Sequence, residues 1–217
     1  RPMRVRPLVS AALLVAAAAH GAAVPASPAT PAAPPAESGR FRVPDLVEPA
    51  TLDPSLKLDI RYARADNFAR RPVYPEARAF LQRPAAEALV RAHRALESKG
   101  YGIQILDGYR PWSVTKLFWD LTPDSQKVYV ADPAKGSRHN RGSAVDVTLF
   151  DRKTGRELTM PSSYDAPNER AHATFKGGSA AQRAARDALI EAMSREGFFV
   201  YAYEWWHFDW KDWREYP

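Results

Sequence analysis

The chain has 217 residues, of which 45% are hydrophobic, and this length and composition suit one globular domain of ordinary size. It contains no cysteine, which excludes disulfide bonds and thiolate metal sites, so that only His, Asp or Glu could bind a transition metal. The formal net charge is +6, but four of the arginines lie in residues 1–40, and the excess in the rest is too mild to indicate a nucleic-acid partner.

Residues 1–23 have the features of a secretory signal peptide. Three arginines precede an apolar run from Leu8 to Ala19, which is too short and too rich in alanine for a stable membrane span. Residues 24–40 are mostly Pro, Ala and Ser, and we predict a disordered linker there. The alternative is an Ala/Pro tail without a targeting function. We therefore expect one folded domain at 41–217 and an exported protein, either periplasmic or secreted.

The first half of the domain is predicted to contain two strands and two helices. In chain order these are a half-buried strand at 56–62, a helix from Pro84 to about Ser98, a strand at 102–107 and a short amphipathic helix at 113–120. The longer helix has an apolar stripe at helical spacing, and Gly100 lies just past its end. His93 lies on this helix beside two arginines, and we expect it to be a surface residue.

The second half is predicted to contain three strands and one helix. In chain order these are a strand at 143–149, a strand at 157–160, a helix that is capped by Ser179 and ends at about Glu196, and a strand at 198–203. Ser179 and Gln182 form a capping-box pattern, and Gly197 ends the helix. Because the elements lack regular βαβ alternation, we predict an α+β fold, a single domain with a mainly antiparallel sheet and packed helices.

The first candidate metal ligands are His139 and Asp146. Gly142 indicates a turn between His139 and the strand that carries Asp146. On that strand Val145 and Val147 share one face, and Asp146 lies on the other. A buried carboxylate needs a partner, and either a metal ion shared with His139 or a salt bridge to an arginine would satisfy it.

The second candidate segment is Glu204-Trp-Trp-His207. Its two polar residues are three apart and would face opposite ways on an unbroken strand, so both can reach one site only if the strand ends at about Tyr203 and the chain turns tightly. The alternative is an aromatic C-terminal strand with an incidental Glu and His. That alternative explains the tryptophans but leaves Glu204 unexplained.

Two histidines and one carboxylate leave an open fourth position on zinc, which is typical of catalytic rather than structural zinc sites. Glu204, just outside the metal ligands, could then take a proton from a metal-bound water and pass it to the leaving amine. Arg110 follows a predicted strand and is the candidate for stabilising a developing oxyanion. A purely structural salt bridge is an equal alternative for Arg110.

The segments that carry these residues resemble the D-alanyl-D-alanine dipeptidases of the VanX type, which belong to a wider group of zinc D-Ala-D-Ala peptidases. The resemblance extends over about residues 59–210. The matching segments, in the order of the family, are 59–68, 107–111, 137–149, 163–165 with 169–172, and 204–207.

The resemblance implies a hedgehog/DD-peptidase-like fold and one Zn²⁺ per chain, bound by His139, Asp146 and His207. It implies hydrolysis of the small dipeptide D-Ala-D-Ala in cell-wall peptide turnover. Neither the composition nor the spacing indicates the stereochemistry of the substrate or the oligomeric state.

The resemblance also implies roles for residues around the metal. Glu204 is the general base and acid, and Arg110 polarises the scissile carbonyl. Ser137 and Asp165 help to hold the dipeptide, Asp165 near its free amino group. His172 has no metal role, and we expect a local hydrogen bond for it.

Two other functions stay open. The stretch between Trp119 and Ser137, which could form one wall of the substrate cavity, is shorter than in the best-known members of the family. A wider cavity would suit a D,D-carboxypeptidase that trims terminal D-Ala from longer peptidoglycan stem peptides. A non-catalytic wall-binding module is the third hypothesis, but such a module would have no need of Glu204.

Overall fold

The computed structural model of the protein describes residues 32–217. The signal peptide predicted at 1–23 lies outside these residues, as does the first part of the predicted linker. Residues 32–40 contain no helix or strand, and the carboxylate of Glu37 accepts a hydrogen bond of 3.0 Å from Arg141. None of the helices in the described part of the chain has the length and apolarity needed to cross a bilayer.

The described residues form seven strands and four α-helices. The strands are β1 Leu46–Val47, β2 Lys57–Leu58, β3 Leu81–Gln82, β4 Tyr101–Asp107, β5 Ala144–Asp151, β6 Phe198–Tyr201 and β7 Glu204–Trp210. The helices are α1 Pro49–Leu52, α2 Arg83–Leu96, α3 Trp112–Leu121 and α4 Ala180–Arg195.

Five strands form one sheet in the order β2-β4-β5-β7-β6. β2 is parallel to β4, and the other neighbours are antiparallel. β1 and β3 form a separate antiparallel pair. This arrangement confirms the predicted α+β class with a mainly antiparallel sheet.

Helices α2 and α4 contact each other and pack against the sheet. Their predicted apolar stripes are buried and share one core with Val145, Val147 and Leu149 of β5. Ser179 and Gln182 form the capping box of α4, with the side chain of each accepting from the backbone N–H of the other. The predicted helices and the two central strands are therefore confirmed, with bounds that differ by at most two residues.

Two predicted strands are wrong. The strand expected at 56–62 is reduced to β2, because the chain turns into a 3₁₀ helix at Arg61–Ala63. Of the side chains that suggested alternation, Leu56, Ile60 and Tyr62 are buried all the same, whereas Leu58 is exposed. At 157–160 the described chain has an isolated bridge between Phe150 and Glu157 in place of a strand.

The prediction that His93 lies on the surface is also wrong, because its ring is fully buried. Its Nδ1 accepts a hydrogen bond of 2.8 Å from the backbone N–H of Ile103, and its Nε2 is 2.9 Å from Oγ of Ser55. Helix α2 contacts α1, α4 and β4 at the same time, so its buried face is wider than one apolar stripe.

Two irregularities occur at the same end of the large sheet. The register between β4 and β5 shifts between Ile105 and Asp107, and that between β6 and β7 shifts at Val200 and Tyr201. Bulges of this kind redirect side chains and often lie beside active sites. Beyond them the register sets three polar residues, Asp107, Asp146 and His207, in one row across β4, β5 and β7.

Candidate active site

A short 3₁₀ helix at 138–141 positions His139 next to the start of β5. Ser137 caps this helix, and its Oγ accepts a hydrogen bond of 3.2 Å from the backbone N–H of His139. The helix ends at Gly142, where φ is +62° and a Cβ atom would overlap Cδ2 of Leu46. The turn predicted at Gly142 is therefore confirmed, and the position requires glycine.

His139, Asp146 and His207 converge on one point. Nδ1 of His207 lies 3.1 Å from Nε2 of His139 and 3.1 Å from Oδ1 of Asp146, and the remaining separation is 3.4 Å. Tetrahedral zinc with bonds of about 2.0–2.1 Å separates its ligand atoms by about 3.3 Å. Two imidazole nitrogens that face each other this closely must share a proton or a cation. The three side chains could therefore hold a metal ion, and their donor atoms fit zinc.

The far nitrogens of the two imidazoles are also engaged. Nδ1 of His139 lies 2.7 Å from the carbonyl oxygen of Gly108, and Nε2 of His207 lies 2.9 Å from Oδ1 of Asp209. Acceptors of this kind orient metal-binding histidines in proteins. They leave Nε2 of His139 and Nδ1 of His207 to face the cluster.

The cluster is strongly coupled electrostatically. Burial raises the pKa of Asp146, but the adjacent imidazoles of His139 and His207 outweigh it and lower that pKa. Burial lowers the pKa of His207, but its hydrogen bonds with Asp146 and Asp209 raise it to about 10. Binding of a metal ion by Nδ1 of His207 therefore releases a proton, since a ligating imidazole must be neutral at that atom.

Glu204 lies beside the cluster, with Oε2 3.9 Å from Nδ1 of His207. β6 ends before the tight turn that the sequence predicted, but Glu204 then begins β7, which was not predicted. Val200 of β6 pairs with Phe208 of β7, and the next residue, Tyr201, pairs with Glu204. Residues 205–207 therefore have no partners on β6 and form a bulge. Both Trp205 and Trp206 are buried as a result, and the alternation is interrupted between Glu204 and His207.

The environment of Glu204 suits proton transfer near neutral pH. Burial raises the pKa of Glu204 to about 8. His207 and Arg110 lower this pKa, whereas the carboxylates of Asp146 and Asp165 raise it. A carboxyl group that titrates close to neutrality can both accept and donate a proton at ordinary pH.

Arg110 combines the two alternatives that the sequence left open. Its Nε and Nη2 donate hydrogen bonds of 2.9 and 2.7 Å to Oδ2 of Asp107, which is a buried salt bridge. Its guanidinium also lines the cleft, 4.9 Å from the ring centroid of Phe118, and Nη2 is 3.6 Å from Oδ2 of Asp146. Within residues 32–217, Nη1 takes no part in the contacts with Asp107 and Asp146, which use Nε and Nη2.

All seven predicted site residues line one cleft. They are Arg110, Ser137, His139, Asp146, Asp165, Glu204 and His207. Residues 128–131 form one wall, as expected for the stretch before Ser137. His172 lies apart from the cluster, and its Nε2 is 3.3 Å from the hydroxyl of Tyr129, which confirms the expected local hydrogen bond.

Asp165 is held in a strained position at the edge of the cleft. Its φ of +58° lies in the left-handed region, which Asp adopts more readily than most residues other than glycine but still at a cost in free energy. Both of its carboxylate oxygens are 3.0 Å from the hydroxyl of Tyr62. Burial raises the pKa of Asp165 to about 7, and Asp146 raises it too, against the hydrogen bond from Tyr62.

Comparison with known proteins identifies the family. The family model for the D-ala-D-ala dipeptidases matches residues 43–216. A D-alanyl-D-alanine dipeptidase of Escherichia coli (strain K12) is 35% identical over 173 residues, which cover 80% of this chain and 88% of the relative. A D-alanyl-D-alanine dipeptidase of Enterococcus faecalis is 34% identical over 174 residues, which cover 70% of this chain and 85% of the relative.

The chain belongs to the D-ala-D-ala dipeptidase family. It is therefore an enzyme, a hydrolase of the metallopeptidase class. Among solved structures, the LdcB LD-carboxypeptidase is similar at a TM-score of 0.47 and 20% identity, with 78% of this chain and 69% of that chain covered.

Sequence reasoning missed two side chains that support this dipeptidase-family site. The hydroxyl of Tyr164 donates a hydrogen bond of 2.7 Å to Oδ2 of Asp146, which leaves Oδ1 to face the imidazoles. Asp209 holds Nε2 of His207. Its spacing of two from His207 could have indicated a shared strand face. Tyr164 offered no signal except its place next to Asp165.

Proposed function

We propose that this member of the dipeptidase family hydrolyses D-alanyl-D-alanine to two D-alanines, and that it acts in cell-wall peptide turnover. The proposal rests on the convergence of His139, Asp146 and His207 with Glu204 and Arg110 in one cleft. The similar proteins of Escherichia coli and Enterococcus faecalis are D-alanyl-D-alanine dipeptidases, which supports this substrate.

We further propose that the metal is one zinc ion per chain. The donor set of two imidazoles and one carboxylate, with separations of 3.1–3.4 Å, supports zinc with an open fourth position. When bound, the zinc ion would lower the pKa of a water molecule and polarise the scissile carbonyl.

The side chains around the metal would transfer the proton and stabilise the negative charge that develops during the reaction. Glu204 takes a proton from the attacking water and returns it to the leaving amine. Arg110, held by Asp107, directs Nη1 towards the carbonyl oxygen on which negative charge develops. Because Asp107 fixes the guanidinium in advance, little reorganisation is needed during the reaction.

Two further side chains would bind the ends of the dipeptide. Asp165 presents a half-buried carboxylate, hydrogen-bonded to Tyr62, to the free amino group of the substrate. Ser137 accepts the N–H of His139 with its Oγ, which leaves the hydroxyl proton to donate to the substrate.

The test is a substrate panel on the purified zinc-loaded protein. We expect cleavage of D-Ala-D-Ala and none of a stem pentapeptide that ends in D-Ala-D-Ala. Cleavage of the pentapeptide alone would replace the dipeptidase with the D,D-carboxypeptidase. Binding of either peptide without turnover would indicate the wall-binding module.

The role of Glu204 is tested by Glu204→Gln, which keeps the shape of the side chain and removes its basicity. We expect zinc content to be kept and kcat to fall by about 10²–10⁴-fold, because general acid–base catalysis is lost. Glu87→Gln, on the exposed face of α2, is the matched control and should keep full activity. A Glu204→Gln variant with nearly normal kcat would remove this residue from the mechanism.

Export is also part of the proposal, on the basis of the arginines and the apolar run in residues 1–23. Residues 1–40 fused to a reporter enzyme that is active only outside the cytoplasm should give reporter activity. A fusion that stays inactive would contradict export.

A further inference from the structure

Two side chains that line the cleft carry a permanent positive charge, Arg110 and Arg138. Arg110 is buried, and its Nε and Nη2 are bound to Asp107. The side chain of Arg138 is 44% exposed and lies next to His139 at the cleft. A peptide with a free C-terminus brings a carboxylate into the site, and a carboxylate that leaves water needs a cationic partner.

We propose that Arg138 binds the C-terminal carboxylate of the substrate. This assignment rests on the peptidase function proposed above and adds a specificity-determining residue to it. Arg138 restricts cleavage to the last peptide bond of the chain, because only there does a free carboxylate follow the scissile bond by one residue.

The contacts of Arg138 leave its guanidinium fork open. Nε lies 3.5 Å from Oδ2 of Asp209, and the guanidinium lies over the ring of Trp213, 4.7 Å from its centroid. Its two Nη atoms make no hydrogen bond to any residue in the described range 32–217. A guanidinium that is stacked on one face and held at Nε presents its Nη atoms at a fixed angle, which suits a carboxylate.

The charges of the cleft also complement those of a dipeptide, with an acidic group on one side of the metal cluster and a basic group on the other. Asp165 is connected to Asp146 through the hydroxyls of Tyr62 and Tyr164, which are 3.2 Å apart. Arg138, in contrast, is connected to the metal cluster through His207, since Asp209 contacts both. The acidic and the basic group thus flank different members of the cluster. A zwitterionic dipeptide bound with its amino group at Asp165 and its carboxylate at Arg138 has its peptide bond at the cluster.

The experiment compares D-Ala-D-Ala with D-alanyl-D-alaninamide, whose C-terminus is neutral. Steady-state kcat and KM are measured for both compounds with the wild-type chain and with Arg138→Ala, Arg138→Gln and Arg138→Lys. For the free acid, we expect Arg138→Ala and Arg138→Gln to raise KM by about 10- to 100-fold at nearly constant kcat, because uniform binding is lost. For the amide, kcat/KM should not change, and Arg138→Lys should restore part of the affinity for the acid.

Arg214→Ala is the matched control, since Arg214 stacks on the same tryptophan at 4.2 Å and does not line the cleft. It should keep the wild-type preference for the acid. Retention of that preference by Arg138→Ala would overturn the proposal. So would an equal fall of kcat on both compounds, which would mean that Arg138 acts through Asp209 and His207. Activity on the amide shows that the variants are folded, and a wild-type chain that cleaves neither compound would contradict the proposed function itself.

Discussion

His93 and His139 are both buried, with exposures of 0% and 1%, but the partners of their ring nitrogens differ. At His93 each ring nitrogen has one complementary partner, the N–H of Ile103 and the hydroxyl of Ser55. At His139 the inner nitrogen faces a second imidazole, that of His207, and both face the carboxylate of Asp146. The first site is complete within the protein, whereas the second needs a positive ion between its atoms.

The comparison shows that burial of a titratable ring does not by itself indicate function. The informative property is whether the partners are complementary. A histidine between a donor and a hydroxyl contributes to the fold. Histidines that direct lone pairs at one another beside a carboxylate favour a metal site. The following predictions separate the two cases.

The largest effect is expected for His139→Ala, which removes one of the three cluster donors. We expect the variant to lose its equimolar zinc and its peptidase activity to fall by at least about 10³-fold, or about 4 kcal/mol in transition-state stabilisation. Metal analysis after gel filtration and a D-alanine release assay measure the two quantities. A variant that retains zinc and activity would contradict the assignment of the cluster.

His93→Ala should leave zinc binding intact and damage the fold instead. The substitution opens a cavity and leaves the N–H of Ile103 without its acceptor, so we expect the free energy of unfolding to fall by about 3 kcal/mol. Urea denaturation measures this loss, and His93→Gln, which keeps a polar side chain, should lose less. If His93→Ala lost zinc at unchanged stability, the two histidine sites would not be separable in this way.

Tyr164→Phe tests the support of Asp146 without touching a ligand. Loss of the hydroxyl frees Oδ2 of Asp146, and we expect zinc affinity to fall by about 10- to 100-fold, or about 1.4–2.7 kcal/mol. Competition with a chelator of known affinity measures the change. Tyr101→Phe, far from the cluster on β4, is the control and should bind zinc normally.

The smallest effect is the pH dependence that His93 contributes to stability. Burial lowers the pKa of His93 below its usual value near 6.5, so the unfolded chain binds a proton more readily than the folded one. The stabilisation is therefore complete above about pH 6.5 and declines as the pH falls, by at most about 1.4 kcal/mol per pH unit. Urea denaturation of wild type and His93→Ala from pH 8 to pH 5 should show a smaller slope for the variant. Equal slopes would contradict the lowered pKa.

Local sequence patterns predicted those helices and strands that bury a single face. The stripes and caps of α2 and α4 follow from helical spacing and from Ser179 and Gly197, and β5 follows from alternation. The seven site residues came from chemical reasoning on His139, Asp146, Glu204 and His207 together with a family resemblance, and they share one cleft.

What the sequence could not predict depends on packing between distant segments. The burial of His93 requires α1, α4 and β4 to surround α2 on several sides, and no local period records that arrangement. The hydrogen bond from Tyr164 to Asp146 joins a loop to a strand. The bulge in β7 left one trace, two adjacent buried tryptophans where alternation would place a single one.

That bulge has a consequence for protein engineering. Residues 205–207 disturb the pairing of β7 with β6, and this irregularity lets a carboxylate three positions before His207 share its side of the sheet. Without the bulge, residues three apart on β7 would face opposite ways, and Glu204 would point away from the metal cluster. A redesigned chain with a regular β7 would keep its metal donors but lack the acid/base, which would convert the hydrolase into a receptor for its own substrate.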